Sequence, residues 1–278
     1  EGNEPSEYTN LVFHYFPNSD LFIQAIQKIS SGGDDVYELA LSLLMKTVEI
    51  EVFRYKGFWA SLKYPWHILD CLEYLLSNLM PAQGKNVDIR KNVHIEGAVV
   101  LGDNVKIFEN TKIVGPCYIG DNTIIGNNNI IRGSNIGANC VTGFNTDITR
   151  SYVGDNCWFH SNYIGDSVLE GNISLGSGTI LANLRLDEGD IYSVAKDEQV
   201  NTKRNKFGAI IARNVRIGGN TSIMPGVKIG TNSFIGAGLI IDHDIAENMF
   251  CYGKTELVTK PNERAMVKKN RDAFRKKI

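Results

Sequence analysis

From Ile89 to Ile131 an aliphatic side chain returns at every sixth residue: Ile89, Ile95, Leu101, Ile107, Ile113, Ile119, Ile125 and Ile131. If roughly a quarter of positions are aliphatic, eight in register has chance odds on the order of 10⁻⁵ per frame. A second run holds Ile211, Ile217, Ile223, Ile229, Ile235 and Ile241. This spacing matches neither the helical period nor strand alternation. It is the spacing of a parallel β-helix, in which each short strand is one face of a coil and three hexads close a triangle. Four residues after each anchor stands a smaller side chain, as at Val93, Val99, Val105, Thr111, Cys117 and Thr123, then Val215, Thr221, Val227 and Ser233. A large and a small inward residue together fill a narrow coil without strain. Gly or Asn near the anchors, as in Ile119-Gly120-Asp121-Asn122, supplies the positive φ of tight corners.

Composition narrows the function classes. The 278 residues are 43% hydrophobic, enough for a sizeable core and one or two domains. A net charge of -2 gives no general attraction for nucleic acid. The stretch from Lys260 to Ile278 is nonetheless basic, which reads as a solvated terminal helix or an anion-binding tail. Five cysteines, odd in number and without a C-x-x-C pair, read as free thiols of a reducing cytosol. Neither a signal peptide nor a membrane-length apolar run is recognisable, so a cytoplasmic protein without membrane contact is expected.

The expected organisation has four parts. Residues 1–80 have an α/β texture. Asn10 to Phe16 and Glu49 to Tyr55 read as strands. Asp20 to Ile29 reads as a helix capped by Asp20; Val36 to Met45 and Pro65 to Leu79 are further helices. Residues 81–84, Pro-Ala-Gln-Gly, read as a linker. The coil is expected over 85–246. Its register slips between Ile131 and Leu175, and a charged arm over 184–208 interrupts it; such an arm on a rigid scaffold usually carries function. Residues 247–278 are expected to form a basic helical extension, with the helix over Asn262 to Ile278.

Three stretches carry a family resemblance: His160-Ser161-Asn162-Tyr163-Ile164-Gly165-Asp166, Leu175-Gly176-Ser177-Gly178-Thr179-Ile180-Leu181-Ala182-Asn183, and Lys206-Phe207-Gly208-Ala209. They resemble sugar-1-phosphate nucleotidyltransferases fused to a hexapeptide acetyltransferase. The similarity is greatest to the archaeal-type bifunctional N-acetylglucosamine-1-phosphate uridyltransferase/glucosamine-1-phosphate acetyltransferases. The resemblance implies a left-handed coil, against the usual right-handed crossover, and a homotrimer with sites between subunits. It implies an acetyl-CoA-dependent N-acetyltransferase acting on an amino-sugar phosphate.

In that family the His of H-x-x-Y-x-G-D is the general base, which maps to His160. An imidazole titrating near neutrality suits that task. Because Phe159 is an inward anchor, strand alternation points His160 outward. Asn183 is implied to orient base or substrate. Arg132, Tyr163 and Lys206 are implied to hold the sugar phosphate, with Arg150 a further candidate as a nearby cation, and Gly176, Ser177, Gly178 and Thr179 to line the CoA channel. A bland reading stands beside each: Tyr163 at a subunit interface, Asn183 at a corner, and the glycines as turn residues. Two positions depart from the pattern. The family's substrate-holding Lys falls on Ile148, and an Asn before the G-x-G-T segment falls on Ser174. Asp242, His243 and Asp244 look metal-like but lack a supporting cluster, and no metal is assigned. Trp158 reads as packing.

Gly57 to Asp70 resembles a nucleotidyltransferase segment, G-x-W-x-D-I-G-x-P-W-D-L-L-D, with Ser61, Lys63 and His67 at three of its positions. The Mg²⁺-holding Asp of that family's Y-E-L-T-D falls on Leu41, and the Gly-rich phosphate loop is absent. Nucleotidyl transfer needs that cradle and a metal-held carboxylate. It is therefore not expected of these residues alone, and Mg²⁺ would matter only with an intact nucleotidyltransferase domain. Two alternatives stay open: a nucleotidyltransferase whose coil only assembles a trimer, and a non-catalytic scaffold.

Overall fold

The computed structural model describes residues 11–254, 256–263, 275 and 276. The chain divides into two compact units, Glu1–Ser61 and Leu62–Ile278. In the first, helix α1 (Ser19–Gln27) packs on helix α2 (Val36–Leu44) through Phe22, Ala25, Ala40 and Leu44. The cap of α1 is Asn18, whose side chain accepts from the Asp20 N–H at 2.9 Å. Asp20 lies inside the first turn, where its charge favours the helix dipole. The two stretches expected as strands are irregular over residues 11–16 and 49–55. Alternation alone does not make a strand without a neighbour to pair with.

The second unit is a three-faced parallel coil. Eight strands stack on the first face, from Ala82–Gln83 to Lys228–Ile229. Nine stack on the second, from Asp88–Ile89 to Phe250–Cys251. The third face carries eight, from His94–Glu96 to Ile240–Ile241. The residues read as a linker thus begin the coil, since Ala82 and Gln83 pair with Val100 and Leu101. At the other end Phe250 and Cys251 pair with Phe234 and Ile235, so the coil runs past residue 246. The expected helix over Asn262–Ile278 lies almost entirely outside the described residues.

The anchors point inward as the period requires. Ile107, Ile113, Ile119, Ile125, Ile131, Ile211 and Ile223 are fully buried, with Val105, Thr111, Cys117 and Thr123 beside them. Ile89 and Ile95 remain exposed at the end of the coil. Small hydroxyl partners stay satisfied because each reaches a corner carbonyl one coil on: Thr111 to Gly126 at 2.8 Å, Thr123 to Gly137 at 2.8 Å and Thr221 to Gly236 at 2.9 Å. Corners carry asparagines in the left-handed region, and their amides stack from coil to coil, as in Asn86–Asn104–Asn122–Asn139. Each such bond contributes roughly 0.5–1.5 kcal/mol.

Helix α3 (His67–Ser77) begins two residues after Pro65 and lies on the first face. The arm leaves the coil after the third-face strand Ile180–Leu181 and returns before Ile210–Ile211. The stacking closes over this gap, since Leu169 pairs directly with Ile211. The arm contains a hairpin, Tyr192–Ala195 with Glu198–Asn201. Its turn residues Lys196 and Asp197 both have positive φ, the conformation that matches strand twist.

Candidate active site

The register slip seen in the sequence has a local cause. Ile113 pairs with Ile131, 18 residues on. Ile131 then pairs with Ile148, and Ile148 with Ile164, so successive coils shorten to 17 and 16 residues. The missing residues come from corners. Five residues rather than six separate Ile131 from Ile136, Ile148 from Val153, Phe159 from Ile164 and Ile164 from Leu169. At these tightened corners Arg150, Ser161 and Asp166 take φ of 46°, 53° and 45°. Among the described residues of the coil outside the arm, every other non-glycine residue with positive φ is asparagine. An ordinary side chain in this conformation costs roughly 1–2 kcal/mol, and such strain tends to gather where chemistry is done.

His160 occupies one tightened corner. Phe159 is fully buried and His160 is exposed, as alternation implied. The corner is held by Asn162, which is buried. Its Oδ1 accepts the His160 N–H at 2.6 Å, and its Nδ2 donates to the carbonyls of Gly176 at 2.8 Å and Thr179 at 3.1 Å. One amide therefore joins the His160 corner to the Gly176–Thr179 turn of the next coil. In that turn the Gly178 N–H donates to Ser161 and the Thr179 N–H to Gly176. Among the described residues the Ser177 N–H has no hydrogen-bond partner, and Ser177 is exposed. The flanking glycines are demanded by coil stacking. A Cβ on Gly176 would stand 2.4 Å from the Gly219 nitrogen, and one on Gly178 would be 2.2 Å from the Asn220 Oδ1. Trp158 is half exposed, its ring 6.4 Å from that of His160, rather than packed inside.

Beside this corner the third face carries a polar network. The phenol of Tyr163 donates to Asn183 Oδ1 at 3.3 Å, and Asn183 Nδ2 donates to Asp166 Oδ2 at 2.5 Å. Arg150 grips both oxygens of Asp166, each at 2.7 Å. Arg132 reaches both oxygens of Asp147 from a single terminal nitrogen, at 2.8 and 2.9 Å, while its Nε is buried without a partner. Asp147 pairs in register with Tyr163, which places the carboxylate beside the phenol. Burial, then the Asp147 and Asp166 carboxylates, push the Tyr163 phenol above its ordinary value. Its hydrogen bond to Asp166 pushes the Arg150 guanidinium up and keeps it charged.

Ile148 is fully buried as a third-face anchor. A lysine there would point into the core; Arg132 and Arg150 are the arginines that stand beside this network. Lys206 stands at the root of the arm, bridged antiparallel to Leu184. It is exposed and makes no ion pair among the described residues. The following N–H groups tie this root to the network, Phe207 donating to Asn183 at 3.0 Å and Gly208 to Asp166 at 2.9 Å. The arm packs Ile191 and Phe207 against α3, while Leu184 and Leu186 stay exposed. At the end of the coil, just after the third-face strand Ile240–Ile241, Asp242 bonds His243 and Asp244 turns to Lys228.

Arg150, Tyr163 and Asn183 thus share one network, and the main chain after Lys206 joins it. Arg132 lies beside it with Asp147, and His160 is linked through Asn162 to the Gly176–Thr179 turn. Sequence reading missed Asn162, Asp147 and Asp166. Asp166 was legible as the last residue of H-x-x-Y-x-G-D. Asp147 followed from counting one coil back from Tyr163, once corner shortening is allowed for.

The family described as bacterial transferase hexapeptide (six repeats) matches residues 98–133 and 208–243, the stretches of strict period. The chain is 36% identical over 277 residues to the bifunctional protein GlmU of Methanococcus aeolicus, covering 93% of this chain and 62% of that protein. It is 34% identical over 245 residues to a bifunctional sugar-1-phosphate nucleotidylyltransferase/acetyltransferase of Sulfurisphaera tokodaii, covering 85% and 59%. The chain spans about three-fifths of the length of these curated relatives. A UDP-N-acetylglucosamine acyltransferase from Campylobacter jejuni shares the coil fold, with a TM-score of 0.50 at 21% identity over 61% of this chain and 66% of that one. The chain is therefore a left-handed hexapeptide-repeat β-helix protein, similar in sequence to the C-terminal part of the archaeal bifunctional sugar-1-phosphate nucleotidylyltransferase/acetyltransferases.

Proposed function

We propose that this chain carries an acetyl-CoA-dependent N-acetyltransferase site for an amino-sugar phosphate of the glucosamine-1-phosphate kind. The observation that carries the proposal is the corner itself. An exposed imidazole at His160 is tied by one buried amide to a turn with an unpartnered N–H, beside a face of arginine, tyrosine and asparagine. The acceptor nitrogen attacks the thioester carbonyl, forming the C–N bond. His160 takes the ammonium proton and returns it to the sulfur as the C–S bond breaks, so that the thiol is released. The Ser177 N–H is a preorganised donor for the oxyanion that develops between these steps. Tyr163 and Asn183 orient the sugar, and Arg132, Arg150 and Lys206 face its phosphate. A homotrimer would cover Trp158 and Ile180, each about half exposed in the single chain, and bring a second subunit to the site.

One observation favours the assembly-only alternative. Both arginines already hold carboxylates, which offsets their charge toward a phosphate. The test is acetyl-CoA turnover with glucosamine-1-phosphate and related amino sugars. Activity lost in His160→Ala with acetyl-CoA binding retained supports acetyl transfer. No acetyl-CoA binding by calorimetry favours assembly alone.

A further inference from the structure

The segment from Gly57 to Asp70 resembles nucleotidyltransferase sequence, yet its second half is built into the coil. Trp66 is 2% exposed and stacks on Tyr64 at 4.5 Å. It also meets Phe207, fully buried, with ring centroids 6.2 Å apart. Leu69, Leu72 and Leu76 continue the same apolar stripe along α3 and meet Val168 of the first face and Ile191 of the arm. One helical turn beyond Trp66, on the same side, Asp70 pairs with Arg204 of the arm. The arm is thus fastened to α3 twice within four residues, at Arg204 and at Phe207.

Phe207 directly follows Lys206. Its N–H holds the Asn183 carbonyl, and the next N–H holds Asp166. A ring locked between Trp66 and the first face therefore fixes both ends of the arm where they leave the coil. We infer that Trp66 is a positioning residue for the acceptor subsite, acting through Phe207 on Lys206 and Asn183. This inference rests on the acetyl-transfer reading for its kinetic consequence, though not for its structural one. It gives α3 a part in acyl-group chemistry that its sequence resemblance does not suggest. Truncating Trp66 would free the Phe207 ring and let Lys206 and Asn183 shift; misplacement of positioning groups by about an ångström is enough to change rates or affinities by ~10- to 100-fold.

The experiment compares Trp66→Ala and Trp66→Phe with wild type by amide hydrogen exchange and by steady-state kinetics. In Trp66→Ala, the Phe207 and Gly208 amides should exchange ~10- to 100-fold faster, while Ile217 and Ile223 of the coil keep their protection. The acceptor KM should rise ~5- to 20-fold with the acetyl-CoA KM unchanged, and Trp66→Phe should recover most of both. Unchanged exchange at Phe207 and Gly208 would overturn the inference, as would an equal rise across the coil or equal shifts of both KM values. If wild type transfers no acetyl group, the acetyl-transfer reading fails, and the exchange pattern still decides whether Trp66 holds the arm root.

Discussion

Restoring the family's lysine at Ile148 should break the coil rather than improve the site. Ile148 is fully buried on the third face, between Ile131 and Ile164 in register. An ammonium there can reach neither water nor a carboxylate, so the group must bind neutral. Holding a lysine of ordinary pKa ~10.4 neutral at pH 7 costs about 4–5 kcal/mol. Imperfect packing of a longer, unbranched chain adds ~1–3 kcal/mol. The total of about 5–8 kcal/mol is comparable with the whole stability of a domain, ~5–15 kcal/mol. The sign of the pH dependence follows. A folded pKa depressed below the unfolded value means the unfolded chain binds the extra proton throughout that window. Stability of Ile148→Lys relative to wild type therefore rises with pH until about 10.4, recovering ~3 kcal/mol between pH 7 and 9.5. Guanidinium denaturation followed by far-UV circular dichroism at both pH values measures this, with Ile148→Val as the control expected to lose ~0.5–1.5 kcal/mol. A wild-type midpoint for Ile148→Lys with a lower acceptor KM would refute the placement of residue 148 inside the coil.

Three further outcomes are expected. Asn162→Ala removes the three hydrogen bonds of a buried amide, so it should cost ~2–4 kcal/mol and raise the acetyl-CoA KM; thermal melts and kinetics check both. Asp166→Asn keeps a residue suited to positive φ but puts an amide donor against Arg150 and Asn183. With Arg150 half exposed, the loss should be about 1–3 kcal/mol, and a double-mutant cycle with Arg150→Ala should show the two effects to be less than additive. The Tyr163 phenol should ionise above the ordinary value of ~10, because burial and two carboxylates oppose the phenolate. In an alkaline absorbance titration, the wild type minus Tyr163→Phe difference should appear at the high end of the tyrosine signal. Since the folded value is the higher one, this residue's contribution to stability is present below pH ~10 and declines above it.

The coil was legible because its rule is local: one large inward residue per face and a small partner four later, repeated until chance is excluded. The outward direction of His160 was legible for the same reason, since Phe159 fixed it. Period alone could not place the site's carboxylates. Asp147 and Tyr163 meet only because two corners, Ile148 to Val153 and Phe159 to Ile164, each lost a residue, and a strict period of six does not announce a coil of 16. The strand expected over Glu49 to Tyr55 failed because alternation says nothing about a partner. Asn18 displaced Asp20 as the cap of α1 because either residue type can cap a helix, and only geometry chooses. The role of Phe207 was hidden by its neighbour, since Lys206 drew attention as a cation while the adjacent ring does the anchoring.

Acetyl transfer as proposed requires that the corner at His160 and the turn at Gly176–Thr179 form one site. A crystal structure of the chain with CoA measures it most directly. The pantetheine thiol should lie against Ser177, within reach of the His160 imidazole. CoA bound elsewhere on the coil, with that corner covered by protein or open to solvent alone, would contradict it.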